Sequence, residues 1–167
     1  MTQSSPPDPG RPLMPSGYGL NAPGVQFNPV SWEWVTEQAA KSRNYWVATT
    51  RRDTRPHVAP VWGLWLDGRV MFSTDATSLK AKNAARNPSC TVHLESGDEV
   101  VIFEGRLEHV TDPEILEQFA ADYDKKYGFR PDVADPATGP VFALRHNTVL
   151  AWLEKDFPST ATRWEFA

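Results

Sequence analysis

The order of apolar and polar residues predicts a chain built mainly from short β-strands. Alternating or continuous apolar runs, each bounded by turn residues, lie at residues 45–50, 56–66, 69–74, 89–95, 99–110, 141–154 and 160–166. The dipeptide Asp67-Gly68 joins two of these runs, and Ser96-Gly97-Asp98 joins another two. Both are hairpin signals, so we expect antiparallel pairing between neighbours in the sequence.

Helical spacing of apolar residues predicts three helices between or before these strands, over residues 29–42, 78–86 and about 113–126. Asn28 is placed to cap the first helix, with Pro29 at its first position. Asn87-Pro88 ends the second, and Asp112-Pro113 opens the third. Seven strands with interposed helices predict a mainly β domain, a closed or nearly closed antiparallel barrel.

The N-terminal part of the chain has a different composition. Seven of the 15 prolines lie in the first 30 residues, where glycines also interrupt any periodicity. We therefore interpret residues 1–27 as an irregular proline-rich arm and residues 28–167 as the folded domain. Apolar residues in the second half of the arm are expected to lie on the domain surface or on a partner subunit.

Length and charge exclude several classes of protein. A chain of 167 residues forms one domain. Its net charge of −4 offers no overall positive field for nucleic acid. No apolar run is long enough to span a membrane, and the N-terminus does not resemble a secretion signal. The single cysteine, Cys90, lies in an apolar strand pattern typical of a small buried residue, which fits a cytoplasmic protein.

No known metal or nucleophile motif occurs in the sequence. The four histidines, at positions 57, 93, 109 and 146, fall on separate predicted elements without ligand spacing, so no metal site is expected. Glycine-rich nucleotide loops and nucleophile elbows are also absent from the sequence.

The junction between the run at 69–74 and the helix at 78–86 is the main candidate site. It combines hydroxyl, amide and cationic side chains, namely Ser73, Thr74, Ser78, Lys80, Lys82 and Asn83. The positive end of a helix favours an anion, and lysines strengthen that preference. Lys80 shares a helical face with Asn83, which makes these two the expected anion pair, while Lys82 lies with Arg86 as a second basic edge. The alternative is a solvated helix with ordinary surface lysines.

The strand at 56–66 offers a second candidate feature. Pro60 cannot donate a ladder hydrogen bond, so this strand is expected at a sheet edge or a bulge. Trp62 and Trp65 are able to shield a planar heterocycle there, or else to serve as core or interface aromatics.

Several segments resemble the pyridoxamine 5′-phosphate oxidase-like split barrels. The resemblance covers roughly residues 30–166 and rests on R-P-H-V-A-P-V-W at 55–62, F-S-T at 72–74, S-L-K-A-K-N at 78–83 with N-P at 87–88, and E-G-R at 104–106. It implies a split antiparallel β-barrel of six to seven strands, a homodimer, and a flavin or deazaflavin in a groove between the subunits.

The resemblance also implies roles for individual residues. Val58, Ala59, Pro60 and Val61 would line the ring. Ser73 and Thr74 would hold the ribityl and phosphate region, Lys80 would bind phosphate, and Lys82 and Asn83 would extend that site. Val100 and Val101 would approach from the partner chain. Trp62 and Ser78 are added as cofactor-binding candidates from the strand and helix-start patterns themselves.

Departures from the family pattern bear on the choice of cofactor. Pyridoxamine phosphate oxidases have arginine where His57 stands, an arginine-lysine pair at Leu79-Lys80 and glutamine at Val100, and these changes argue against vitamin B6 oxidation. The sequence is more similar to the actinobacterial flavin- and deazaflavin-dependent oxidoreductases. Coenzyme F-420 is therefore the favoured cofactor, with FMN as the alternative, and Lys82 with Arg86 suits the oligoglutamate tail of F-420.

The expected activity is hydride transfer between the cofactor and a small conjugated organic acceptor. The alternatives are an FMN-dependent enzyme like pyridoxamine phosphate oxidase and a non-catalytic carrier of a flavin or haem-type ligand. No acid-base pair is required; His57 is a candidate for proton donation, and Arg163 and Trp164 are candidates for substrate contact.

Overall fold

The computed structural model describes residues 5–134 and 139–167, and it shows a mainly β architecture. In this part of the chain the strands are β1 (Asn44–Thr50), β2 (Pro56–Trp62), β3 (Leu64–Leu66), β4 (Arg69–Ser73), β5 (Ser89–His93), β6 (Glu99–His109), β7 (Val141–Leu153) and β8 (Thr162–Glu165). The helices are α1 (Trp32–Lys41), α2 (Leu79–Arg86), α3 (Pro113–Tyr127) and α4 (Phe157–Thr160).

All strands join one antiparallel sheet. The hydrogen-bonded order is β2-β1-β5-β6-β7-β4-β3, and β8 pairs with β7. The sheet is curled into a half-barrel, which confirms the predicted split barrel. It is not closed, because β2 and β3 end the path and do not pair with each other. Because β2 is an edge strand, Pro60 removes no hydrogen bond from the interior of the sheet.

Two predicted boundaries were wrong. The run at 56–66 is two strands, because Gly63 leaves the ladder and its backbone is bound by the Tyr127 hydroxyl instead, with the Gly63 N–H donating over 2.9 Å. Helix α1 begins after Ser31, whose hydroxyl accepts from the Trp34 N–H at 3.1 Å. Asn28 does not cap it, because its own N–H donates to the Ser159 carbonyl at 3.0 Å.

The first predicted hairpin is confirmed. Leu66 pairs with Arg69 across a two-residue turn in which Asp67 and Gly68 have φ values of 50° and 70°. Left-handed conformations at both positions are what a type I′ turn requires. The turn at 96–98 likewise connects the antiparallel pair β5 and β6.

The inner face of the half-barrel carries the core. Its largest fully buried side chains include Trp164, Tyr45, Phe72 and Phe103. Cys90 is buried as expected, and burial raises the pKa of its thiol to about 12. No helix among the described residues is long and apolar enough to cross a membrane.

The N-terminal arm packs along the domain. Gly10 exchanges two backbone hydrogen bonds of 2.8 Å with Arg163, and Leu20 is 5% exposed. The Arg11 guanidinium donates to the Pro158 carbonyl at 2.6 Å. The arm therefore covers part of the outer edge of β8.

Candidate functional site

The site is built at the junction of β4 and α2. A tight turn follows β4, in which the Asp75 carboxylate accepts from the N–H and the hydroxyl of Thr77, both at 2.6 Å. These hydrogen bonds lower the pKa of Asp75 and fix the turn. The turn places Ser78 at the N-cap of α2, where the Ser78 hydroxyl accepts a hydrogen bond from the Ala81 N–H at 3.2 Å.

Three polar side chains meet at this turn. The Lys80 ammonium donates to the Thr74 hydroxyl at 3.2 Å, and that hydroxyl lies 3.1 Å from the Ser78 hydroxyl. The N–H groups of the first helical turn point to the same end, because helix geometry gives them no intrahelical acceptor. One ammonium, two hydroxyls and the positive end of α2 together form a donor set suited to a phosphate.

Asn83 does not belong to that cluster. It is 3% exposed, and its amide donates to the Thr49 hydroxyl on β1 at 3.1 Å. It therefore anchors α2 to the sheet, although the sequence pairs it with Lys80 as an anion ligand. The Lys82 side chain is exposed on the outer side of α2, and Ser73 donates its hydroxyl to the Gly139 carbonyl at 3.3 Å.

His57 lies on β2 beside this cluster. Its Nδ1 is 3.4 Å from the Thr49 hydroxyl. Partial burial lowers its pKa, and the positive charges of Arg51 and Lys80 lower it further. A lowered pKa disfavours the protonated imidazole that proton donation would require.

A group of arginines near this site was not predicted from the sequence. Arg51, Arg52 and Arg55, in the hairpin between β1 and β2, line a depression of about 580 Å³ together with Asp53 and with Leu79 at the start of α2. The Asp53 carboxylate pairs with Arg55 at 2.7 Å, which leaves Arg51 and Arg52 as the cations of the depression that have no ion pair within the described residues. The signal was present as R-R-D-T-R at 51–55, but only the hairpin pairing of β1 and β2 brings it to α2.

The site and this hairpin have a local charge opposite to that of the whole protein. Six basic side chains lie on α2 and the hairpin, namely Arg51, Arg52, Arg55, Lys80, Lys82 and Arg86, against the two carboxylates of Asp53 and Asp75, whereas the chain carries −4. Such a basic region draws anions to the site even in an acidic protein.

Alternate residues of β2 face opposite sides of the sheet. Val58, Pro60 and Trp62 are exposed on the outer face, with Val58 at 49% and Trp62 at 40%. Ala59 and Val61 face inward. The side chains that can contact a ring on the outer face are therefore those of Val58, Pro60 and Trp62.

The remaining candidate residues are also divided between the outer face of the sheet and the core. Val100 lies on the outer face of β6 but is only 8% exposed, whereas Val101 is in the core at 1%. Trp164 is also a core residue at 1%.

Arg163 lies on the outer face, where its guanidinium pairs with Glu165 at 2.6 Å. Trp65 packs against the core beside Phe103, with ring centroids 5.4 Å apart.

The half-barrel sheet with its small helices is the fold of a split-barrel protein. Residues 33–153 match the pyridoxamine 5′-phosphate oxidase family, and the chain belongs to that family. This is a family of flavin-type oxidoreductases and binders. No curated protein matches the chain.

Solved structures share this fold. The conserved hypothetical protein Rv2991 from Mycobacterium tuberculosis is 25% identical, with a TM-score of 0.66 over 77% of this chain and 88% of that one. An F420 reductase is 22% identical, with a TM-score of 0.55 over 73% of this chain and 98% of that one. A heme binding protein from Mycobacterium smegmatis is 16% identical, with a TM-score of 0.56 over 80% of this chain and 62% of that one.

Proposed function

We propose that this protein is a cytoplasmic oxidoreductase that uses the deazaflavin coenzyme F-420 to exchange hydride with a small conjugated organic acceptor. The observation that carries the proposal is the convergence of Lys80, Thr74 and Ser78 at the start of α2. Membership of the pyridoxamine 5′-phosphate oxidase family supports it. FMN is the alternative cofactor.

The residues of this chain fit such a cofactor in two places. The donor set at α2 is suited to its phosphate, and the outer face of Val58 and Pro60 offers an apolar surface for its ring. The bound cofactor supplies the hydride carrier. The protein positions the acceptor and excludes water.

The arginine hairpin favours the deazaflavin over FMN. FMN carries a single phosphate, which the Lys80 cluster alone satisfies. The further cations at Arg51, Arg52, Lys82 and Arg86 suit the additional carboxylates of an oligoglutamate tail. Parallel titration of the protein with F-420 and FMN tests this preference, and tighter binding of FMN would contradict it.

Replacing Lys80 by alanine is expected to weaken cofactor binding by about 1.5–3 kcal/mol, the value of a charge-assisted hydrogen bond. Fluorescence titration of the cofactor measures this change. Lys155→Ala is the control, because Lys155 is an exposed lysine that follows β7, outside the proposed site. Equal dissociation constants for the wild type and Lys80→Ala would refute the phosphate assignment.

Turnover separates an enzyme from a carrier. An enzyme oxidises reduced F-420 faster when an enone acceptor is added, whereas a carrier binds the reduced cofactor without acceptor-dependent oxidation. Absorbance of the deazaflavin, followed with and without acceptor, distinguishes the two.

The outer face of the sheet is the surface we propose for homodimer formation. Strand register places Pro60, Trp46, His93, Ile102 and Leu150 in one row across five strands. The Trp46 and His93 rings stack there with centroids 6.3 Å apart and an angle of 5°. All five side chains are partly or fully exposed, and a second copy would bury this largely apolar row.

Replacing Ile102 by lysine is expected to convert a dimer into a monomer, because the new charge would be desolvated in the interface. Light scattering coupled to size-exclusion chromatography measures the mass. Leu13→Lys is the matched control, since Leu13 is an apolar residue of the arm that is 88% exposed. A wild-type protein that elutes as a monomer would contradict the dimer.

A further inference from the structure

Trp62 presents an exposed indole whose orientation is fixed. It stacks on Tyr127 of α3 with ring centroids 4.7 Å apart and an interplanar angle of 3°. The Tyr127 hydroxyl accepts from the Gly63 N–H and lies 2.7 Å from the carbonyl oxygens of Gly63 and Arg43. A ring held in this way loses little freedom when another ring stacks on it.

Arg43 lies at the side of the stack formed by Trp62 and Tyr127, and not against the opposite face of Trp62. Its guanidinium carbon is 5.4 Å from the Trp62 centroid and 5.6 Å from the Tyr127 centroid. With 4.7 Å between the rings, the three distances form a nearly isosceles triangle, so Arg43 is about equally far from both rings. A cation capping Trp62 from the far side would be much farther from Tyr127. The face of Trp62 opposite Tyr127 is therefore not covered by Arg43.

The positive charge at this platform, formed by Trp62, Tyr127 and Arg43, has no carboxylate partner within the described residues. No ion pair found there includes Arg43 or the neighbouring Lys126. Lys126 donates to the Gly63 carbonyl at 3.0 Å. Burial, and then the charge of Arg43, lower its pKa to about 8. Two cations that repel each other favour an anion at the edge of the stack.

The platform adjoins the surface proposed for the cofactor ring. Trp62 shares the outer face of β2 with Pro60, and alternate residues of a strand lie roughly 7 Å apart. Trp62 itself is 40% exposed. Resting on the proposed function, we propose that the acceptor substrate stacks on the face of Trp62 opposite Tyr127 and is a planar conjugated molecule with a negative charge that Arg43 binds.

Calorimetric titration of the full-length protein with anthracene-2-carboxylate, and with its neutral amide, tests this assignment. Trp62→Ala is expected to weaken binding of both probes by roughly 5- to 150-fold, the fold-change that corresponds to one stacking contact of roughly 1–3 kcal/mol, and Trp62→Phe is expected to retain most of the binding. Arg43→Gln is expected to weaken only the carboxylate, by up to about fivefold, the range of an exposed ion pair.

Arg130→Gln is the matched control, because the Arg130 guanidinium already pairs with Glu117 at 2.6 Å. Circular dichroism and melting curves establish that each variant is folded. The assignment is overturned if the wild type binds neither probe, if Trp62→Ala binds them as the wild type does, or if Arg43→Gln weakens both equally.

Cofactor titration of the same proteins keeps this proposal separate from the proposed function. Arg43→Gln is expected to bind cofactor within twofold of the wild type; a larger loss would assign the platform to the cofactor and overturn the proposal. If the wild type binds anthracene-2-carboxylate but neither F-420 nor FMN, the proposed function is refuted, whereas the assignment of a binding site to the platform is retained.

Discussion

Replacing Gly105 by alanine is expected to destabilise the protein by about 3 kcal/mol or more, because no space exists for a Cβ atom. An added Cβ would lie 2.1 Å from the Arg145 carbonyl oxygen and 2.7 Å from the His146 Cα. Both are backbone atoms of β7, so no side-chain rotation relieves the clash. The strands β6 and β7, which form the longest pairing of the sheet, would have to separate locally.

Urea denaturation measures this loss of stability. Gly97→Ala is the matched control, because nothing lies within 4 Å of a Cβ built at Gly97, and a change within about 0.5 kcal/mol is expected there. A Gly105→Ala variant as stable as this control would contradict the close approach of the two strands.

The same clash explains the E-G-R segment that the family resemblance uses. Gly105 faces His146 at the point where the register between β6 and β7 shifts, and Glu104 faces Thr148. One residue of β7 therefore has no partner on β6, as in a β-bulge. Glycine at 105 is a requirement of the barrel, and it says nothing by itself about the ligand.

Features that depend on near neighbours in the sequence could be predicted. The Asp67-Gly68 hairpin needs only its own backbone angles. The cluster of Thr74, Ser78 and Lys80 spans seven residues, so a strand followed by a helix start was enough to indicate it.

Features that depend on distant contacts could not be predicted. The break at Gly63 is bound by Tyr127, 64 residues away. Asn83 turns to Thr49, 34 residues away, and not to an anion beside Lys80. The spacing of residues along a helix predicts which of them share a face, but it does not predict which strand that face packs against.

His146 gives the second large expected effect, on stability at acidic pH. Its Nδ1 is buried without a hydrogen-bond partner in the described structure. The imidazole is surrounded by aromatic rings, with centroid distances of 4.5 Å to Phe166, 5.8 Å to Phe103, 6.0 Å to Trp32 and 6.1 Å to Trp65. Burial, and then the charge of Arg69, lower its pKa to about 4.

The sign of the effect follows from the two protonation states. An unfolded histidine has a pKa near about 6.5, so below that pH the unfolded chain binds a proton that folded His146 excludes. The free energy of unfolding is therefore expected to fall as the pH decreases from about 6.5 to 4, by at most about 3 kcal/mol from this residue. Well above pH 6.5, where His146 is deprotonated in both the folded and the unfolded state, it contributes no pH dependence.

His146→Phe is expected to remove this part of the pH dependence, because a phenyl ring fits an aromatic cluster and has no nitrogen to protonate. Urea denaturation at several pH values measures it as the difference between the wild-type and variant curves, which cancels the carboxylates that titrate in both. His109→Phe, which replaces an exposed histidine of β6, is the matched control. If the His146→Phe curve runs parallel to that of the wild type between pH 4 and 6.5, the imidazole is not kept neutral by its surroundings, and the orphaned Nδ1 has a partner in solution.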